Sequence, residues 1–208
     1  MNNIQTNILI GSIIGDGNLA LYGRSRNAYF REHGSKEQTN YRKWKANILD
    51  FKYFANRHEV RSKSEELFTK LRNEFYFNNI KTLTTENLKY LDHPIGLMTL
   101  FLDDGSLVIQ KNDNKNSIYL FPRIYLYTQS FSKEENILLM NHLKKEFNVI
   151  NVNFKLKWTS NGPNWHLEIN KRNDINYFIS LIKPFSKNIK CMQYKVNLEK
   201  RLNDEKLN

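Results

Sequence analysis

Ile8-Leu9-Ile10-Gly11-Ser12-Ile13-Ile14-Gly15-Asp16-Gly17 is echoed by Gly96-Leu97-Met98-Thr99-Leu100-Phe101-Leu102-Asp103-Asp104-Gly105, and reading this pair decides the fold. Each stretch is apolar, of helical length, and closes on Asp-Gly. Thr6 or Asn7 is placed to cap the first helix and Asp92 the second, with Pro94 in its opening turn. Each helix is expected to stop at its glycine. A helix that is apolar all round must be buried, so two of them in one small fold pack side by side and bring Asp16 and Asp104 together. Gly11-x-x-x-Gly15 lacks the Gly-Lys-Ser/Thr of a phosphate loop; its expected role is close helix packing.

The match continues outward. Asn18 to Gly34 and Ser106 to Ser130 read as strand pairs rich in aromatic and β-branched residues. Lys36 to Trp44 and Lys133 to Met140 are helix-like, with Ser35 and Ser132 as equivalent caps. Glu59 to Lys70 and Val152 to Asn170 are expected as second hairpins, followed by helical stretches near Leu71 to Phe77 and Asp174 to Ile182. The chain thus repeats an αββαββα unit. The fold class is α/β in the broad sense, more narrowly α+β, with two pseudo-symmetric halves, 1–90 and 91–208. The polar stretch Thr84 to His93 forms the junction.

Composition narrows the function. The chain has 208 residues, 40% of them hydrophobic, enough for a sizeable core rather than a disordered chain. Its 32 Lys and Arg outnumber 21 Asp and Glu, and a net charge of +11 favours a polyanion such as nucleic acid. No apolar run reaches the roughly 18 residues of a membrane span, and the first residues lack the marks of a secretory or transit peptide. A single cysteine, Cys191, excludes an intramolecular disulfide, and the five histidines form no close ligand cluster, so zinc has little support. Trp44, Phe51, Tyr53 and Phe54 read as core. Abundant Asn, Lys, Ile and Tyr hint at an AT-rich genome, leaving phage, organelle and low-GC bacterium open as sources.

Two carboxylates at the negative ends of two helix dipoles repel unless a cation lies between them. Carboxylates with water and phosphate oxygens suit Mg²⁺, and such ions assist phosphodiester hydrolysis. Ile13-Ile14-Gly15-Asp16, Phe101-Leu102-Asp103-Asp104-Gly105, Thr128-Gln129-Ser130-Phe131 and Leu181-Ile182-Lys183-Pro184 occur in an order that resembles the LAGLIDADG homing endonucleases, in their monomeric, two-motif, intron-encoded branch. The resemblance spans nearly the whole chain. It implies a site-specific double-strand DNA endonuclease that promotes intron mobility, cuts a long asymmetric target to leave short 3′ overhangs, and uses Mg²⁺, with Mn²⁺ able to substitute. It implies a saddle-shaped antiparallel sheet on DNA and a two-helix interface between the halves.

By the same resemblance Asp16 and Asp104 are the metal-binding carboxylates, with Asp103 at the family's variable seventh motif position. Lys81 and Lys195 are the lysines beside the metals, and Glu32 and Gln129 the polar residues closing each first hairpin. The polar segment Gln110 to Asn116 lengthens the second hairpin. Ser12, Ile14 and Thr99 depart from the consensus, Thr99 standing where a glycine is expected at the close helix approach. Alternating strand residues are the candidate base readers: Arg24, Arg26, Tyr29 and Arg31 in the first half, Arg123, Tyr125 and Tyr127 in the second, extended by Lys155, Lys157 and Trp158. The expected partner is double-stranded DNA, without a membrane. The alternative is an RNA-binding intron maturase on the same scaffold; a transcription factor derived from the fold would be expected to lose a motif acid.

Overall fold

A computed structural model describes residues 1–114, 117–147, 155–159 and 162–207, and the side chains among them except at 113, 114, 117, 158, 159 and 162–164. The elements run α1 (Asn3–Ile14), β1 (Asn18–Ala20), β2 (Tyr29–His33), α2 (Thr39–Leu49), β3 (Lys52–Phe54), β4 (Glu59–Arg61), α3 (Glu66–Phe75), β5 (Tyr76–Phe77), β6 (Ile80–Lys81) and α4 (Thr85–Leu88). They continue with α5 (Pro94–Asp104), β7 (Gly105–Asn114), β8 (Ser117–Leu126), α6 (Lys133–Glu146), β9 (Lys155–Thr159), β10 (Gly162–Ile169), α7 (Arg172–Ser186), α8 (Gln193–Val196) and α9 (Leu198–Leu207). The αββαββα order occurs twice, and the sheets have the same antiparallel topology, β1-β2-β4-β3 and β7-β8-β10-β9.

Strand alternation separates the two faces of each sheet. Leu19, Phe30 and Val60 in one, and Leu107, Ile124, Leu126, Leu167 and Ile169 in the other, enter the core, while Arg31, His33 and Tyr127 remain exposed. The motif helices are buried nearly all round, Ile8 to Ile14 in α1 and Ile95 to Leu102 in α5, as their lack of a polar face requires.

The two helices meet backbone to backbone. A Cβ on Gly11 would fall 2.3 Å from the carbonyl oxygen of Gly96, and one on Gly15 would lie 2.8 Å from Cβ of Asp103. Thr99 fits because it faces Gly11 and donates its hydroxyl to the Ile95 carbonyl at 2.8 Å within its own helix. Gly11→Ala is therefore expected to lower stability by about 3 kcal/mol through overpacking against rigid backbone. A urea midpoint equal to the parent's would show that the helices do not pack this way.

Several local expectations are corrected. Asn2, not Thr6 or Asn7, caps α1, in a reciprocal box with Gln5; His93, not Asp92, caps α5. Asn7 and Asp92 instead bond each other across the two units at 2.6 Å. Helix α1 ends before Gly15, leaving Asp16 in the following turn, whereas Asp104 is the last residue of α5. The second hairpin of the first unit is Lys52 to Arg61, not Glu59 to Lys70, because Glu66 to Phe75 buries Phe68, Leu71 and Phe75 at helical spacing. The junction holds α4 and buries Leu88 and Leu91. Ser132 caps α6 as expected, paired with Glu135, whereas Ser35 makes no side-chain cap. Residues 152–154 and 115–116, parts of the second unit's expected hairpins, lie outside the described residues.

Candidate metal centre and nucleic-acid surface

The motif termini carry carboxylates in unlike surroundings. Asp16 has a side chain 34% exposed, and Arg42 Nη2 donates to its Oδ2 at 2.9 Å. Asp104 is half-buried; its backbone carbonyl accepts from the Tyr127 N–H at 2.7 Å, while its carboxylate accepts no hydrogen bond among the described residues. Burial, reinforced by the Asp16 charge and opposed by Lys81 and Lys195, pushes Asp104 up to about 6.

The three carboxylates brought closest together are Asp16, Glu32 and Asp103, with one oxygen of each within 4.8 Å of the others. Helix α2 supplies their counter-charges. Lys45 Nζ donates to Glu32 at 2.8 Å and to Asp103 at 2.8 Å, and Arg42 Nε lies 3.0 Å from Glu32. Tyr41 donates its hydroxyl to Asp103 at 2.9 Å. Burial raises Asp103 while the Lys45 charge beside it holds it down, and burial likewise raises Tyr41 well above its ordinary range. The side chains of Glu32, Lys45 and Asp103 have no exposure at all. Glu32 and Asp103 are thus engaged by internal partners, whereas Asp16 and Asp104 are the partly exposed carboxylates.

Lys81 and Lys195 occupy matching places. The Asn78-Asn79 turn, with φ of 49° and 64°, folds β5 against β6 in the manner of a tight hairpin. Lys81 Nζ donates from β6 to the carbonyls of Gly15 at 2.9 Å and Gly17 at 3.0 Å. Lys195, on α8, donates to Leu102 at 2.6 Å. Each lysine thus sits at the carbonyl end of one motif helix, where a cation is favoured. Burial lowers both lysines, opposed by the nearby aspartates. Gln129 lies half-buried in the turn after β8, without a hydrogen bond to Asp104.

On the open sheet faces Arg31 and Tyr127 are exposed, and Arg123, Tyr125 and Lys155 are half-buried. Arg24 and Arg26 are exposed in the loop between β1 and β2, not on strands. Tyr29 is 7% exposed because Arg61 lies over its ring at 5.6 Å. Lys157 is 3.4 Å from Glu168. Trp158 is in β9 opposite Trp165, and its side chain lies outside those described. Sequence reasoning missed Tyr41, Arg42 and Lys45, which share the buried face of α2 with Ala46 and Leu49; that shared spacing was the available signal. It also missed His33, Glu59, Arg61 and Glu168 on the sheets.

Fold and site together define the class: an α+β protein of two like units, whose acidic motif helices end side by side and whose sheets each expose cations on the face away from the helices. Residues 6–178 match the LAGLIDADG DNA endonuclease family, and the chain belongs to it. Among solved structures it is similar to the homing endonuclease I-WcaI bound to its DNA recognition sequence, with 22% identity, TM-score 0.72, and 94% of this chain and 86% of that one covered. It is also similar to the meganuclease I-AabMI bound to uncleaved DNA (12% identity, TM-score 0.59, 97% and 92% covered). A third similar structure is I-SmaMI bound to uncleaved DNA with calcium ions (14%, 0.57, 94% and 85%). The Protein RecA of Mycolicibacterium flavescens is 28% identical over 153 residues, which are 69% of this chain and only 36% of that protein's length.

Proposed function

We propose that this chain is a site-specific, Mg²⁺-dependent double-strand DNA endonuclease that acts as a monomer, with residues 1–90 and 91–208 each engaging one half of an asymmetric target. The observation that carries this reading is the pair of accessible carboxylates, Asp16 and Asp104, at the ends of the two packed motif helices, each with a lysine at the adjoining carbonyls. The donor set fits a hard divalent ion: the Asp104 carboxylate has no protein donor among the described residues, and its charge is opposed by that of Asp16. Bound Mg²⁺ would neutralise phosphate charge and make a bound water more acidic. Mn²⁺ is expected to substitute.

The chain's own residues do the rest. Arg42 holds Asp16 from the protein side, leaving its exposed edge toward solvent. Glu32 works through Arg42 and Lys45, whose charges it fixes. Lys81 and Lys195 place positive charge beside the reacting phosphates, where preorganised cations are most effective, and Gln129 supplies the polar group of the second side. Cations on the open sheet faces hold the duplex. The DNA complexes of the related proteins support this reading, and the calcium complex supports a divalent ion; none of them supports the maturase alternative. The test is incubation with supercoiled DNA libraries with and without Mg²⁺, followed by sequencing of cut ends. Defined Mg²⁺-dependent double-strand cuts with short 3′ overhangs are expected. Tight binding to an intron RNA without any cutting would transfer the assignment to the maturase.

Metal binding should depend on pH in a definite direction. Since the fold raises Asp104 to about 6 from an ordinary 3.8, ionising it removes stability from the metal-free protein as pH rises between those values. Mg²⁺ takes the ionised form, so the rise in thermal midpoint on saturation with Mg²⁺ is small at pH 5 and full above about pH 7. Equal Mg²⁺ shifts at pH 5 and pH 8 would exclude Asp104 as a ligand.

A further inference from the structure

The strand registers align the two sheets residue by residue. Asn18, Arg31, Arg61 and Lys52 form one row across β1, β2, β4 and β3, directly after the first motif. Ser106, Tyr125, Glu168 and Lys155 form the corresponding row after the second. Arg61 and Glu168 are therefore counterparts, and so, one row farther out, are Tyr29 and Arg123.

In each unit a glutamate 1% exposed lies on the face away from the helices and grips one arginine. Glu59 accepts from Arg61 Nε at 2.5 Å, and Glu168 accepts from Arg123 Nη1 at 2.5 Å. The arginine side chains remain 33% and 31% exposed. Arg61 is further seated over the rings of Tyr29 and Phe54. The Glu–Arg pair is thus present in both sheets but displaced: Arg61 stands in the row next to the motif, Arg123 one row beyond it.

Resting on the nuclease reading, we propose that Glu59 and Glu168 are positioning residues that preset Arg61 and Arg123 as guanine readers, and that the guanine read by Arg123 lies farther from the cut than the one read by Arg61. A fixed guanidinium fork matches guanine O6 and N7, and presetting it lowers the entropy lost on binding. One row is two residues, about 6.8 Å of strand, or about two base pairs at 3.4 Å each. The target therefore carries a G·C requirement in each half-site, spaced unequally about the cut.

The test selects DNA from a randomised library twice, by binding in Ca²⁺ and by cutting in Mg²⁺, with the parent and with Arg61→Gln, Arg123→Gln, Glu59→Gln and Glu168→Gln. Arg61→Gln is expected to turn one guanine preference toward adenine, and Arg123→Gln another, on the other side of the cut and about two pairs farther out. Each glutamate variant should weaken, by about tenfold, only the preference of the arginine it grips. Arg61→Lys, which keeps the charge, serves should loss of the cover on Tyr29 impair folding, and it should lose the same guanine. Uniformly weaker binding with unchanged base preferences would make these arginines phosphate contacts and overturn the proposal while leaving the nuclease intact. Equal spacing of the two guanines would overturn the displacement. If the parent selects a DNA motif but does not cut, the nuclease reading falls, and the proposal stands only if Arg61→Gln and Arg123→Gln each lose one guanine of that motif at unequal distances from its centre; a parent that selects no motif removes both.

Discussion

Asp104→Asn is expected to reduce Mg²⁺-dependent cleavage at least about a thousandfold while leaving DNA binding near the parent's strength. A thousandfold corresponds to roughly 4 kcal/mol of transition-state stabilisation, within reach of one charge on a site metal. The reason lies in how little else Asp104 does. Its carboxylate holds no structural hydrogen bond among the described residues, and burial beside Asp16 disfavours its charge. Removing that charge should leave the metal-free fold unharmed or slightly more stable. Asp16→Asn should abolish cutting as fully but also loosen Arg42, its partner at 2.9 Å. The measurement is single-turnover cleavage of the selected target, with binding measured in Ca²⁺. Cleavage within tenfold of the parent would show that Asp104 does not hold the metal.

Lys45→Met should destabilise the protein by about 3–5 kcal/mol, the usual result of deleting one partner from a buried ionic cluster. At this chain length that is a fall in thermal midpoint of roughly 10 °C. Lys45 is fully buried and compensates Glu32 and Asp103 together, so its loss leaves Glu32 to Arg42 and Asp103 to the neutral Tyr41 hydroxyl. Glu32 and Lys45 belong to the first unit and Asp103 to the second, so the lost contact also ties the units together. Adding Asp103→Asn should recover part of the loss, because one uncompensated charge then disappears. Denaturant titration of the two variants and the double variant decides it. A double variant no more stable than Lys45→Met would mean that Lys45 contributes through packing, not charge.

The sequence by itself determined the repeat, the two buried helices, the family and the positions of the motif acids. Those properties are local or periodic: apolar runs ending in Asp-Gly, hairpins following each, and a cap such as Ser132 leave their mark within a few residues. It located Lys81 and Lys195 only through the family, since nothing in Asn79-Ile80-Lys81-Thr82 says that its amine will meet the carbonyls of Gly15 and Gly17. Tertiary structure alone decided which carboxylates are paired with internal cations and which stay partly exposed. Arg42 and Lys45 read along the chain as a solvated basic stretch, yet the packing of α2 on the motif helices buries them against Glu32 and Asp103, because a buried carboxylate must find a charge wherever the chain can bring one. The displaced Glu–Arg pairs were hidden for a related reason. Strand register, not spacing in sequence, makes Arg61 the counterpart of Glu168.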